Sequence, residues 1–189
     1  MKRSLIIVAA GVPVPDVEDH WRTAPASQRH YDIHVHNYKP IFDTPIGTYD
    51  TLTVGPALKW EMAAKYISDN ITALEDNYEY VGIWDDDVIA TVTDVNIAIE
   101  VAYQQNTPPM FQMSVTADSE SAYPHLRNNP SLDFQWTSFI EIMCPFYHVS
   151  TLRDLTYFWS LYPIKTGWGF DTVCSQLIGP GVVVHKTQM

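Results

Sequence analysis

One segment constrains the fold more than any other. Tyr80-Val81-Gly82-Ile83-Trp84 is a short apolar run that stops abruptly in three consecutive carboxylates, Asp85, Asp86 and Asp87. A run this short, rich in aromatic and β-branched residues, reads as a buried strand. Three adjacent acids do not stay inside a core, so the strand ends at the edge of its sheet. Strands of this kind belong to open α/β sheets, where ligands sit at the carboxyl ends.

The rest of the chain fits that class. Ser4 to Ala10 is a second aliphatic run, closed by Gly11 and Pro13. Tyr31 to Tyr38 alternates Ile33 and Val35 with His34 and His36, which suggests a strand with one half-exposed face. Residues 39–54 read as loop. A helix is expected from near Pro56, with Trp60, Ala63, Ala64 and Ile67 on one face. Thr93 is placed to cap a helix that buries Val95, Ala98, Ile99 and Ala102. Met110–Thr116 and Thr137–Cys144 read as strands around a long polar loop at 117–135. Ser150 is placed to cap a helix through Leu161, with Leu152, Leu155 and Trp159 inward. A short helix over about 170–178 and a last strand, Val182–His185, follow. Strand and helix alternate, so a mostly parallel sheet flanked by helices is expected. Residues 1–189 read as a single domain, either whole or cut from a longer protein.

Charge narrows the function. Lys and Arg number 11 against 22 Asp and Glu, a formal net charge of −11. From Tyr66 to Leu126 there is no lysine or arginine, and that stretch holds half of the acids. Phosphate neutralisation therefore cannot drive nucleic-acid binding here. A single-sign field of this kind requires solvent or a bound cation. No apolar run approaches the roughly 20 residues of a membrane span. The two cysteines make neither a disulfide framework nor a zinc site, and a cytoplasmic setting is expected.

Three constellations carry chemistry. Asp85 and Asp87 can converge on one divalent cation at the end of their strand; the alternative is a solvated acidic turn that caps the next helix. Lys59 falls in the first turn of a helix, the wrong end for a cation unless an anion such as a pyrophosphate binds there; the alternative is a lysine in solvent. Gly167-Trp168-Gly169-Phe170-Asp171 sets an acid at a helix start, either as a first-turn acid or as a general base. His34 and His36 are either an i, i+2 metal pair or an ordinary strand face. His185, at the end of the last strand, can complete a carboxylate metal site. Phosphate-binding loops, dinucleotide fingerprints, zincin motifs and serine-hydrolase elbows are missing.

The run Tyr80–Asp87 resembles the Asp-x-Asp motif of GT-A glycosyltransferases. Ser138-Phe139-Ile140-Glu141-Ile142-Met143-Cys144-Pro145-Phe146-Tyr147 resembles the EIMAPVF segment of a plant and bacterial glycosyltransferase-like family of unknown function. Gly167–Asp171 is similar to that family's Gly-Trp-Gly-Leu-Asp, and Val182–His185 to its terminal Val-Val-His. The likeness is strongest to the small GT-A transferases encoded by chlorella viruses, which decorate capsid glycans. It spans about residues 4–186.

The resemblance implies a GT-A fold and a UDP-sugar donor. It implies a Mn²⁺ or Mg²⁺ ion, and a glycan acceptor on a viral or cell-surface glycoprotein. It makes Asp85 and Asp87 the Asp-x-Asp acids, with His185 as a further metal or phosphate contact. Ala9, Ala10 and Gly11, together with Asp86, fall at the nucleotide. Asp171 is the base of an inverting transfer, with Glu141 in reserve. Trp136 and Trp168 offer faces to sugar rings. A metal-dependent phosphohydrolase and a calcium-dependent glycan-binding module are the rival functions for the same acids.

Overall fold

The computed structural model describes residues 2–189 except 40–46, Asp118, 120–122, Thr166 and Trp168. These residues form eight strands and four α-helices. They are β1 (Arg3–Ala10), β2 (Tyr31–Asn37), β3 (Thr51–Val54), α1 (Lys59–Asn77), β4 (Tyr78–Trp84) and α2 (Val92–Gln104). After these come β5 (Met110–Ser114), β6 (Phe134–Thr137), β7 (Phe146–His148), α3 (Val149–Leu161), α4 (Phe170–Ile178) and β8 (Gly181–Gln188). All eight strands lie in one sheet, in the order β3-β2-β1-β4-β7-β5-β8-β6. Four of its seven pairings are parallel; β7 and β6 run the other way.

The aliphatic run of β1 is continuous because helices cover both faces of the sheet. Ile6, Val8 and Ala10 face α2, in a core with Trp21, Trp84, Val95, Ala98 and Phe111. Leu5, Ile7 and Ala9 face α1, α3 and α4, packing with Trp60, Ile67, Leu155, Trp159 and Phe170. The expected helix faces are the ones buried: Val95, Ala98, Ile99 and Ala102 on α2, and Leu152, Leu155 and Trp159 on α3.

Several expectations are corrected. His34 and His36 are not on a half-exposed face: His34 is 1% exposed and His36 9%. Part of the segment expected to be loop forms the edge strand β3. Its Thr51 and Thr53 hydroxyls meet Nδ1 of His34 and His36 at 2.7 and 2.8 Å, while Tyr66 of α1 stacks on His34. Nε2 of His36 meets the Gly55 carbonyl at 2.8 Å. These ring nitrogens are engaged by protein groups, which leaves no i, i+2 metal pair. Thr91, not Thr93, caps α2, its Oγ1 accepting from the Asp94 amide. His148 rather than Ser150 caps α3, accepting from the Ser150 amide.

Thr137–Cys144 is not a strand. β6 ends at Thr137, and the chain bends over the carboxyl end of β4 before entering β7. Two bonds tie this bend to β4: Ile83 N–H to the Pro145 carbonyl and Asp85 N–H to the Met143 carbonyl. A third holds it to β5, from the Glu141 amide to Oε1 of the buried Gln112 at 2.7 Å. The segment is held by these single bonds to β4 and β5 and forms no strand of its own.

Candidate active site

The acidic run leaves β4 at the carboxyl edge of the parallel block, and its three side chains go to three places. Asp85 continues the alternation of Val81 and Ile83 toward α1. Its Oδ1 accepts from the Lys59 ammonium at 2.8 Å. Lys59 is the first residue of α1 and also donates to the Ile142 carbonyl at 2.6 Å and the Met143 carbonyl at 3.3 Å. Lys59 is thus neither in solvent nor free to meet a phosphate. Its ammonium ties together the start of α1, the end of β4 and the bend before β7. Burial pulls the Lys59 pKa down and pushes that of Asp85 up, and their pairing opposes both shifts.

Asp86 turns to the end of β1. Its Oδ2 accepts from the Gly11 amide at 2.7 Å and the Val12 amide at 3.2 Å. This fixes the segment in which Ala9, Ala10 and Gly11 were expected to meet a nucleotide. The Tyr38 ring lies against Gly11 where a β-carbon would sit, so a larger residue there displaces the ring. Asp87 is exposed and lines a cavity of about 520 Å³ with Thr91, Asp94, Thr116, Met143 and Met189.

His185 is 4% exposed in β8. Its Nδ1 accepts from the Asn129 amide at 3.2 Å, Nε2 is buried without a partner, and burial lowers its pKa. It borders a second cavity that shares Asp94 and Gln188 with the one at Asp87. Among the described residues, no three His, Cys, Asp or Glu side chains are gathered as a metal cluster. Asp85, Asp87 and His185 therefore do not form a protein-only cage.

Asp171 lies in the first turn of α4, with Oδ1 accepting from the Thr172 amide at 2.8 Å. The loop before it passes through Gly167 and Gly169, both left-handed at φ of 75° and 76°. Gly167 rests directly on the indole of Trp60, and Phe170 packs edge-on to the same ring with a 4.6 Å centroid distance. Neighbouring residues of α1 thus fix both acids: Lys59 holds Asp85, and Trp60 holds the loop carrying Asp171. Trp168 lies outside the described residues. Trp136 is on β6, the far edge strand, and is 46% exposed.

Glu141, on the bend, has a buried Oε2 without a hydrogen-bond partner. Its pKa is raised by burial first, then by Asp171 and Asp85, while Lys59 lowers it. Glu141 thus lies within the field of Asp171, Asp85 and Lys59. One cation that the sequence motifs did not single out is Arg22, buried between β1 and β2 and within the field of Asp86. A lone basic residue in a loop carries no spacing signal that would have found it.

No protein-family model matches the sequence, and no curated protein matches it. Among solved structures, the crystal structure of A197 from STIV matches with a TM-score of 0.56 at 10% identity, over 98% of this chain and 83% of that one. A likeness at this identity speaks for the fold alone. The chain has the GT-A fold: an α/β sheet with the acidic run at the carboxyl end of β4 and a reversed strand beside it.

Proposed function

We propose that this chain is a metal-dependent glycosyltransferase that moves a sugar from a UDP-sugar to a glycan acceptor with inversion. It is read as kin to the chlorella-virus transferases and as working in the cytoplasm on a viral or cell-surface glycan. The observation that carries the reading is the acidic run at the carboxyl end of β4, where Lys59 holds Asp85, Asp86 binds the amides of Gly11 and Val12, and Glu141 lies in the field of both Asp85 and Asp171. Among the described residues, no helix is long and apolar enough to cross a membrane.

The donor set suits a hard divalent cation. Mg²⁺ usually takes one or two carboxylates and completes its shell with water and substrate phosphates, so a protein-only cage is not required. Asp87 and the unpaired oxygen of Asp85 would hold Mn²⁺ or Mg²⁺; His185 Nε2 is the reserve ligand. When bound, the ion supplies positive charge at the departing diphosphate. Asp86 keeps the end of β1 in place for the nucleotide. Asp171 takes the proton of the acceptor hydroxyl, with Glu141 as the reserve base.

Thermal shift with UDP plus Mn²⁺, against UDP alone, Ca²⁺ alone and phosphate, separates this reading from a phosphohydrolase and from a calcium-dependent binding module. A UDP–Mn²⁺ shift that Asp87→Ala abolishes is expected. Asp171→Asn is expected to lose about 10²–10⁴ in kcat with donor affinity retained. Full activity in excess EDTA, or retained anomeric configuration in the product, would overturn the mechanism.

A further inference from the structure

Arg22 follows Trp21 in the segment between β1 and β2 and has 0% exposure. Among the described residues, none of its three guanidinium nitrogens has a hydrogen-bond partner. Its backbone, by contrast, is pinned. The amide donates to His20 Nδ1 at 3.1 Å, and the carbonyl accepts from the Thr48 amide at 2.7 Å and the Thr48 hydroxyl at 3.0 Å. The guanidinium faces the ring of Trp21, with its carbon 5.7 Å from the centroid. Arg29, similarly buried, has Asp50 at 3.1 Å. Arg22 has no such anion, and five enclosed donors without acceptors are costly to maintain.

The surroundings say what would complete it. Asp86 opposes the lowering of the Arg22 pKa by burial, so the two lie within each other's field. The same carboxylate holds the Gly11 and Val12 amides. Trp21, which Arg22 faces, donates to the Val88 carbonyl and packs edge-on to Trp84, so Arg22 sits beside the end of the acidic run, on a chain with no lysine or arginine between Tyr66 and Leu126. Lys59, the cation first expected to meet an anion there, is committed to Asp85 and two carbonyls. A planar fork of N–H groups matches paired phosphate oxygens better than any single point charge does.

We infer that Arg22 is the anion-binding residue of the donor site and takes the diphosphate of a nucleoside diphosphate through its guanidinium. The nucleoside part rests on the transferase reading; the diphosphate part does not. Turning the guanidinium from the Trp21 face toward the ligand breaks no hydrogen bond, because it makes none.

The test is calorimetric titration of wild type, Arg22→Met and Arg22→Lys with UDP, inorganic pyrophosphate and uridine, together with thermal unfolding. Arg22→Met is expected to lose about 30-fold or more in affinity for UDP and pyrophosphate, as befits a lost charge-assisted pair. Arg22→Lys, which keeps the charge but not the fork, is expected to lose about tenfold. Uridine binding should be the same in all three. Ligand-free Arg22→Met should melt no lower than wild type, because an unpaired buried charge has been replaced by an apolar chain. A merely structural arginine predicts the reverse: a lower melting temperature with UDP affinity kept. If Arg22→Met does not fold, Arg22→Lys decides, and wild-type affinity there overturns the inference. UDP binding indifferent to both substitutions overturns Arg22 and leaves the transferase reading standing. Arg22-dependent pyrophosphate binding with no gain for UDP does the opposite. Wild type that binds neither overturns both.

Discussion

Replacing Lys59 with methionine tests the junction on which the site is built. The ammonium makes three bonds: to Asp85 at 2.8 Å, Ile142 O at 2.6 Å and Met143 O at 3.3 Å. Methionine keeps the stem and removes all three. Breaking a fully buried ion pair by removing one partner costs about 3–5 kcal/mol. Here the Asp85 side chain is 40% exposed, so water takes up part of its charge. The two carbonyls keep weaker alternatives, and the net loss should be about 2–4 kcal/mol. For a chain of this size that is a fall in Tm of roughly 6–12 °C. Urea unfolding followed by circular dichroism measures it, and a cycle with Asp85→Asn isolates the pair. The double variant should be more stable than the sum of the single losses by at least about 1 kcal/mol. A Lys59→Met loss under about 0.5 kcal/mol, or a cycle with no coupling, would show that Lys59 does not hold Asp85.

Two other outcomes follow from buried groups. Burial, with a smaller contribution from His36, lowers the His34 pKa from 6.5 to about 4. Between those values the unfolded chain takes the proton and the native one does not, so stability falls as pH drops from 6.5 toward 4, by up to about 3 kcal/mol. The unfolding free energy of His34→Gln, measured over the same range, should vary less steeply with pH; superimposable slopes would refute the assignment. Gly167 and Gly169 share a left-handed backbone, but a β-carbon at Gly167 meets the Trp60 indole and one at Gly169 meets nothing. Gly169→Ala should cost about 1 kcal/mol of strain, and Gly167→Ala should cost more and also slow turnover by displacing the Asp171 loop. The opposite order, read by Tm and kcat, would mean that Trp60 does not position that loop.

Elements fixed by local pattern were readable from the residues. The aliphatic run of β1, the strand that ends in three acids, and the inward faces of α2 and α3 each follow from spacing within a few turns or a few residues. What was not readable depended on distant partners. The alternation in β2 gave no hint that β3 and Tyr66 would enclose His34, nor that threonines would engage both histidines. The apolar letters of Thr137–Cys144 resemble a strand, yet their donors answer to Gln112 and other remote groups. Of the candidate site, the acids were legible as types, and their division among Lys59, the Gly11–Val12 amides and the cavity at Asp87 was not. Lys59 illustrates the limit. A first-turn lysine is disfavoured by the helix dipole, which implies an anion, and the anion the fold supplies is a carboxylate 26 residues further on.

The short reversed strand β7 has a consequence for how the chain becomes folded. Among the described residues, it alone bridges the parallel block β3-β2-β1-β4 and the pair β5-β8. It is also made later in sequence than β4 and β5, whose edges it joins. The sheet therefore cannot grow outward by adding each strand to the last; a gap is left and then filled from both sides, a long-range closure of the kind that slows folding. The same closure stacks Phe146 on Phe111 at 4.5 Å and brings the Ile142 and Met143 carbonyls to Lys59. Completion of the sheet thus also seats the bend that carries Glu141 against Lys59 and the end of β4.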